Sequence, residues 1–458
     1  MTAEQQVKRI VDALLYEGYI LYPYRPTSAK NRQRWTFGGI YPRVYSQATG
    51  GAEPWCIQTQ CVLQGGDNTQ LSVRVRFLHP LARDVGELPE PLTEWPQTHE
   101  PQFRRVPSLT LGDTLLYSWQ EATEREVAPP DCRVGDLLRQ SASLPFAFQG
   151  WRESVPLKED ANLFRGVLVR SQTTVQGRVE LSAETVGRGI HRLTVRIEND
   201  TQMDPAGVTD REHASLYSFA STHTILSTVD GQFVSLIDPS PEIAGAAAAC
   251  VNVGAYPVLV GAPGARDTLL ASPIILYDYP QVAPESAGDL YDGTEIDEIL
   301  SLNILAMTDA EKREMAAADP RAAALLARTE ALGMEDFIRL HGTFRDRHPA
   351  DSDHHNSVDC AAALGPHLAY DRNGGSPLKV GERVRLHPRS GGDIMDLVLD
   401  GKTAVIEAIE RDLEDRLHVA VALDDDPGRE WGLQRMPGHR FFFSPEEIES
   451  VESPEGRS

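Results

Sequence analysis

At 458 residues the chain exceeds what one ordinary hydrophobic core organises, so roughly two to three domains are expected. Hydrophobic residues at 41% and charged residues at 24% exclude a disordered chain and describe a globular one. A formal net charge of −23 repels phosphate backbones, which excludes general nucleic-acid binding and favours basic partners or metal ions.

Residues 4–17, EQQVKRIVDALLYE, place Val7, Ile10, Val11, Leu14 and Leu15 at helical spacing, and Gly18 is a natural stop. The start is polar and amphipathic and lacks the apolar core of a secretory signal. No apolar run is long enough for a transmembrane helix, so no membrane insertion is expected. The five cysteines, Cys56, Cys61, Cys132, Cys250 and Cys360, form no CxxC pair. Sparse and odd in number, they fit a reducing, cytoplasmic location rather than a disulfide framework.

The next segment, residues 16–43, is aromatic and basic in an acidic protein. Tyr19, Tyr22, Tyr24 and Trp35 alternate with Arg25, Lys30, Arg32 and Arg34. Rings give rigid contact area and guanidinium groups pair with carboxylates, so these eight residues are the candidate partner-binding surface. A competing reading has the arginines paired with the protein's own surplus carboxylates.

WCIQTQCVL (55–63) and QLSVRVRFL (70–78) alternate apolar and polar residues around QGGDN, which predicts a hairpin. Residues 80–160, rich in proline and acids, read as surface loop and short elements. Strands are predicted at 166–170, 178–186, 192–199, 215–229 and 232–238, antiparallel with one wet face. PEIAGAAAACV suggests a tightly packed helix, and ASPIILYDYP (271–280) a buried strand. EIDEILSLNILAM puts Ile296, Ile299, Leu300, Ile304 and Met307 on one helical face, and further helices follow to about Gly333. Acids at 289–298, including Asp289, Asp292, Glu295, Asp297 and Glu298, are read chiefly as helix capping.

Residues 339–360, RLHGTFRDRHPADSDHHNSVDC, gather histidine, aspartate and cysteine. Imidazole and thiolate suit zinc, nickel or iron, and His348, His354, His355 and Cys360 are the candidate ligands. The spacing matches neither HExxH nor CxxC, and a solvated loop before a domain boundary explains the same residues. If a metal binds, a metal-dependent, hydrolase-like enzyme acting through 341–360 is the alternative function. No GxSxG elbow or phosphate loop is present, so no catalytic residue is assigned. His191, His213 and His223 lie on or beside strands and are read as structural.

After a turn-rich linker, VGERVRL, AVIEAIER, LHVAVALDD and HRFFF read as the strands of an SH3-like small barrel. The predicted fold class is therefore α+β: an antiparallel β-sheet-rich body with a helical section, plus a C-terminal SH3-like β-barrel. The predicted divisions are a β-rich body over 1–240, a helical section packed on it over 241–370, and the barrel over 378–450.

Two stretches, LLYEGYILYPYRPTSAKNRQRWTFGGIYPR and SPIILYDYPQVAPESAGDLYDGTEIDEILSLNILAMTDAEKREM, carry a family resemblance. They resemble long proteins encoded alongside [NiFe]-hydrogenase subunits and maturation factors in aerobic bacteria, best over residues 10–45 and 270–345. The resemblance brings no catalytic motif. It implies a non-enzymatic accessory role in hydrogenase maturation, assembly or function, with a hydrogenase subunit or maturation protein as partner.

Overall fold

The structure is a computed structural model. It describes residues 3–28, 30–32, 34–35, 37–112, 114–160, 163–204, 210–282, 288, 290–291, 297–333, 378–387, 399, 401–411, 417–424 and 441–451. The chain divides into two compact units, Met1–Thr343 and Phe344–Ser458.

In the first unit, α1 (Ala3–Leu15) buries Val7, Ile10, Val11 and Leu15 and stops before Gly18, whose φ of 71° only glycine adopts freely. After a short α2 (Arg43–Ala48) comes β1 (Cys56–Leu92), a strand of 37 residues. The predicted hairpin is therefore one continuous strand. Gly65 pairs with Gly231 and Gln70 with Val229, so the residues between them form a bulge rather than a turn. Thr69 Oγ1 closes the bulge, accepting from Gly66 N and donating to Asp230 O.

The region from 80 to 160, read as loop, is largely strand. It holds the end of β1, then β2 (Arg104–Val106), β3 (Ser108–Leu111), β4 (Thr114–Tyr117), β5 (Trp119–Val127), β6 (Cys132–Arg133), the helix α3 (Val134–Arg139), β7 (Ala142–Phe148) and β8 (Trp151–Asp160). Many of its charged residues, Arg152, Glu153, Lys158 and Glu159 among them, are exposed strand residues. Arg125, on β5, packs its guanidinium over Phe148. The predicted strands that follow are present as β9 (Leu163–Gln172), β10 (Val175–Gly187) and β11 (Ile190–Asn199). After α4 (Arg211–Ser215), β12 (Ala220–Val234) runs through the Asp230–Gly231 dipeptide, so the two strands expected at 215–238 are one. The alanine-rich helix is a single short turn, α5 (Ala244–Ala248). β13 (Tyr256–Leu259) and β14 (Thr268–Ser272) complete the sheet. The strand expected over 271–280 ends at Ser272, and Ile275 beyond it is 92% exposed.

Twelve strands join in one antiparallel sheet. Along one edge β1 pairs with β12 and then β9. Along the other it meets β11, β6, β5 and β2 in turn. Since β9 runs on into β10, and β10 pairs with β11, the sheet leaves β1 at its start and returns to it at its end. The interior collects Phe77, Phe146, Phe148 and Phe219 with ring centroids 4.8–6.1 Å apart. β7 and β8 form the outer edge, paired on one side only among the described residues.

Three helices follow: α6 (Asp297–Ala306), α7 (Asp309–Ala318) and α8 (Pro320–Glu330). Thr308 and Glu311 form a capping box at α7, and Pro320 begins α8. The buried stripe of α6 is narrower than predicted: Leu300 and Ile304 are buried and Ile299 is exposed, while Ile296 lies outside the described residues. These helices pack through Ile304, Met315, Leu325 and Leu326 against Leu78 and Trp119.

The second unit holds β15 (Arg383–Leu386), β16 (Thr403–Arg411), β17 (Leu417–Leu423), β18 (Phe441–Phe443) and β19 (Ile448–Ser450). They form a five-stranded antiparallel sheet, order β18-β17-β16-β15-β19, around its own core of Val384, Leu386, Ile406, Val421 and Phe443. The protein is thus mostly antiparallel β with a few helices, as the sequence predicts.

Gly177 shows how closely the sheet packs. A Cβ there would stand 2.5 Å from the backbone oxygen of Glu198 and 2.8 Å from the rings of Phe146 and Phe219. A backbone atom within a ladder has no room to yield. Gly177→Ala is expected to cost about 1–3 kcal/mol, read as a lowered urea midpoint at unchanged m-value.

Candidate binding cleft

The aromatic–basic segment after α1 folds inward. Tyr19, Tyr24, Arg34 and Trp35 are buried, so half of the predicted recognition surface is interior. The reason is hydrogen bonding as much as ring area. Asn31 accepts from Leu21 N and donates to Leu21 O and Arg25 O, which ties residues 21–31 into a compact loop. Tyr24 hydroxyl donates to Leu290 O, and Tyr19 hydroxyl donates to Asp319, the N-cap of α8, at 2.7 Å. Of the remaining predicted residues, Arg25 pairs with Glu311 and Glu314 on α7, Tyr22 is half-buried and Lys30 is exposed. Arg32 belongs to a 3-10 turn, Lys30–Arg32, and its side chain lies outside the described residues.

Arg34 is the centre of this arrangement. Its guanidinium carbon lies 4.5 Å from the Tyr19 ring centre, 4.6 Å from Trp35 and 4.1 Å from Trp119. Nε and Nη2 donate to Tyr19 O at 3.2 and 2.6 Å, and Nη1 donates to Gln120 O. Burial lowers its pKa, and the bonds and ring faces offset that desolvation. A planar fork is required to reach two carbonyls and three rings at once, which a lysine cannot do. Trp35 completes the link to β5, its indole donating to Gln120 Oε1 at 2.5 Å. Burial beside Asp319 pushes the Tyr19 hydroxyl well above the usual phenol range, so it stays protonated as a donor.

Beside Arg34 opens a cleft of about 420 Å³. Trp35 and Trp119 line it, with Arg34 and Arg211 as cations and Asp210 and Glu212 as anions. Arg211 donates to Glu53 at 2.6 Å, Arg34 O at 2.7 Å and Trp35 O at 3.2 Å, which fixes α4 against the segment. Asp210 caps α4 by accepting from Glu212 N. The volume falls within the range of small-molecule sites.

Sequence reasoning singled out Arg34 and Trp35 but missed Trp119, Gln120 and Arg211. Those three lie far from residue 35 in the sequence, and only tertiary structure brings them together. It also missed His79, buried on β1 with both ring nitrogens unpartnered among the described residues. His223, read as structural, is buried with Nε2 3.1 Å from Ser221 Oγ. Burial, with Arg125 near the first and Arg76 near the second, pushes both imidazoles down to about 3. Burial also raises the thiols of Cys56, Cys61, Cys132 and Cys250, which keeps them protonated and poor nucleophiles.

The candidate metal ligands His348, His354, His355 and Cys360 lie outside the described residues, as do Asp289, Asp292 and Glu295. Among the described residues no group of three or more histidine, cysteine, aspartate or glutamate side chains is placed to hold a metal ion. No helix among them is long and apolar enough to cross a membrane. Comparison with family models, curated proteins and solved structures gives no match to this chain.

Two outcomes follow for the buried cations. Arg34→Ala would strand Tyr19 O and Gln120 O in the interior and is expected to cost about 2–4 kcal/mol in chemical denaturation. Arg34→Lys should recover less than half of that loss. For the histidines, the folded pKa lies below the unfolded 6.5, so their stabilising contribution is complete above that value. As pH falls below it, only the unfolded chain takes up protons. Stability then declines by about 1.4 kcal/mol per pH unit for each histidine, until pH nears 3. Unfolding free energies from urea titrations at about pH 7 and about pH 5 should differ by roughly 4 kcal/mol from these two groups, and by roughly half that in His223→Asn.

Proposed function

We propose that this chain is a non-enzymatic accessory protein that works by binding another protein in the setting of [NiFe]-hydrogenase maturation, assembly or function. The observation that carries this reading is a loop of the first unit. Ile275 and Tyr277 project from it 92% and 81% exposed, while Leu276 between them packs inward against the α1 cluster. Burying two large apolar side chains in the chain's own core is the default, so a pair held outward calls for an external surface.

The loop is held in shape. Asp278 accepts from Leu259 N at 2.7 Å and from Ser235 Oγ, and Tyr279 donates from N to Leu259 O at 2.7 Å and from its hydroxyl to Ala265 O at 3.0 Å. A fixed aromatic–aliphatic pair loses little entropy on docking. The loop also lies within the stretch that resembles the hydrogenase-linked proteins. A net charge of −23 favours a partner with a basic rim and disfavours nucleic acid. The raised cysteine and lowered histidine pKa values support binding over nucleophilic or acid–base chemistry.

The same reading takes the second unit as an SH3-like contact module. Supporting it are the strand order, the register shift between Ile406 and Ala408 that lets β16 bend, and the 3-10 turn Pro445–Glu447 joining β18 to β19. The reading places the protein in the cytoplasm, in line with its sparse, unpaired cysteines.

The test is affinity purification of the tagged full chain from its native host. Wild type is expected to retain a hydrogenase subunit or maturation protein. Ile275→Ser with Tyr277→Ser should lose it by at least about thirtyfold, the effect of removing one ~2 kcal/mol anchor, at unchanged circular dichroism. Recovery of no hydrogenase-related protein by wild type would sink the proposal.

A further inference from the structure

We propose that the cleft beside Arg34 is a binding site for a small zwitterion, a free α-amino acid or a molecule with the same carboxylate and ammonium pair. This goes beyond the protein-binding role and rests on different residues.

The argument begins with the order of charge along the cleft. Arg34 is buried and Arg211 half-buried, whereas Asp210 and Glu212 are exposed. Cations therefore sit at the inner wall and carboxylates at the outer one. A ligand with a single charge meets one favourable and one unfavourable end. A zwitterion with its carboxylate inward meets both favourably.

Hydrogen-bond capacity points the same way. A guanidinium has five N–H donors, and Arg34 spends three of them on the carbonyls of Tyr19 and Gln120. One hydrogen on each terminal nitrogen is not spent on these carbonyls, and a carboxylate can accept from them. The two carbonyl acceptors already bound are neutral, so a carboxylate would supply the counter-charge this buried cation lacks in its own bonds. Trp119, at the same wall, has an indole N–H with no acceptor among the described residues. At the mouth, Asp210 uses one oxygen to cap α4, which leaves its second oxygen and the Glu212 carboxylate, both lining the cleft, as acceptors for an ammonium group. The rings of Trp35 and Trp119 leave an apolar wall for the ligand's side chain.

The fold makes the site rigid. Trp119 and Gln120 belong to β5, α4 is tied to the segment through Arg211, and Gln120 Nε2 donates to Glu212 O at 2.9 Å. The walls formed by β5, α4 and the Arg34–Trp35 segment are thus tied to one another before a ligand arrives, which limits the entropy cost of binding.

Isothermal titration of the full chain with the common free L-amino acids tests this, each compared with its carboxamide and its N-acetyl form. At least one free amino acid is expected to bind with Kd below about 1 mM. Its carboxamide and its N-acetyl form should each bind at least about tenfold more weakly. The surface double variant Asp210→Asn, Glu212→Gln, with its fold checked by circular dichroism, should weaken the free amino acid about tenfold and leave the N-acetyl form unchanged. If no amino acid binds below about 1 mM, or if either capped form binds as well as the free one, the assignment is overturned.

Discussion

A strand of 37 residues carries backbone donors and acceptors along both edges, and each must be paired where water is excluded. That requirement on β1 governs the first unit. No single partner is long enough to cover it. One edge is shared by β12 and β9, the other by β11, β6, β5 and β2. The handover from β12 to β9 is what brings the sheet back on itself and seals Phe77 and Phe219 inside. The bulge at Gly65–Gln70 adds the local twist that a strand of this length needs in order to curl.

The cleft inherits its geometry from the same ladder. Arg83 of β1 pairs with Trp119 of β5, and Ala82 pairs with Gln120. These pairings set where the indole and the amide stand, and the indole and amide in turn hold Arg34 and Trp35. A one-residue slip of β5 would exchange Trp119 and Gln120 between the faces of the sheet and dismantle the aromatic box around the guanidinium. The path runs from register to buried cation to cleft wall. His79 follows the same logic: β1 carries it into the interior, where burial and the nearby Arg125 favour the neutral imidazole.

What the sequence disclosed was local. The α1 stripe, the β10–β11 hairpin and the capped helices α7 and α8 were legible because each depends on neighbours within a few positions. The two longest strands were not. Gly65–Gly66 and Asp230–Gly231 carry turn chemistry, and the same conformational freedom serves a bulge within a ladder. Alternation in β8 was masked because both its faces are largely wet, so charge and proline looked like loop. The segment from Tyr19 to Trp35 was recognisable as unusual, but its direction was not. Aromatic and arginine residues compose an interior box and an outer contact patch equally well. The cleft could not be read at all, since Trp35, Trp119 and Arg211 meet only after the sheet has closed.

The outer edge formed by β7 and β8 bears on how the protein behaves when concentrated. Nineteen positions, from Ala142 to Asp160, run along a border whose far side carries no strand among the described residues. Such a border invites stacking of one molecule on the next into a growing ribbon. Pro145 and Pro156 interrupt the run of donors, and exposed Arg152, Glu153, Lys158 and Glu159 make a second copy's approach electrostatically costly. The prolines and charges that disguise this region as loop therefore serve as gatekeepers, keeping an open-edged sheet dispersed in a crowded solution.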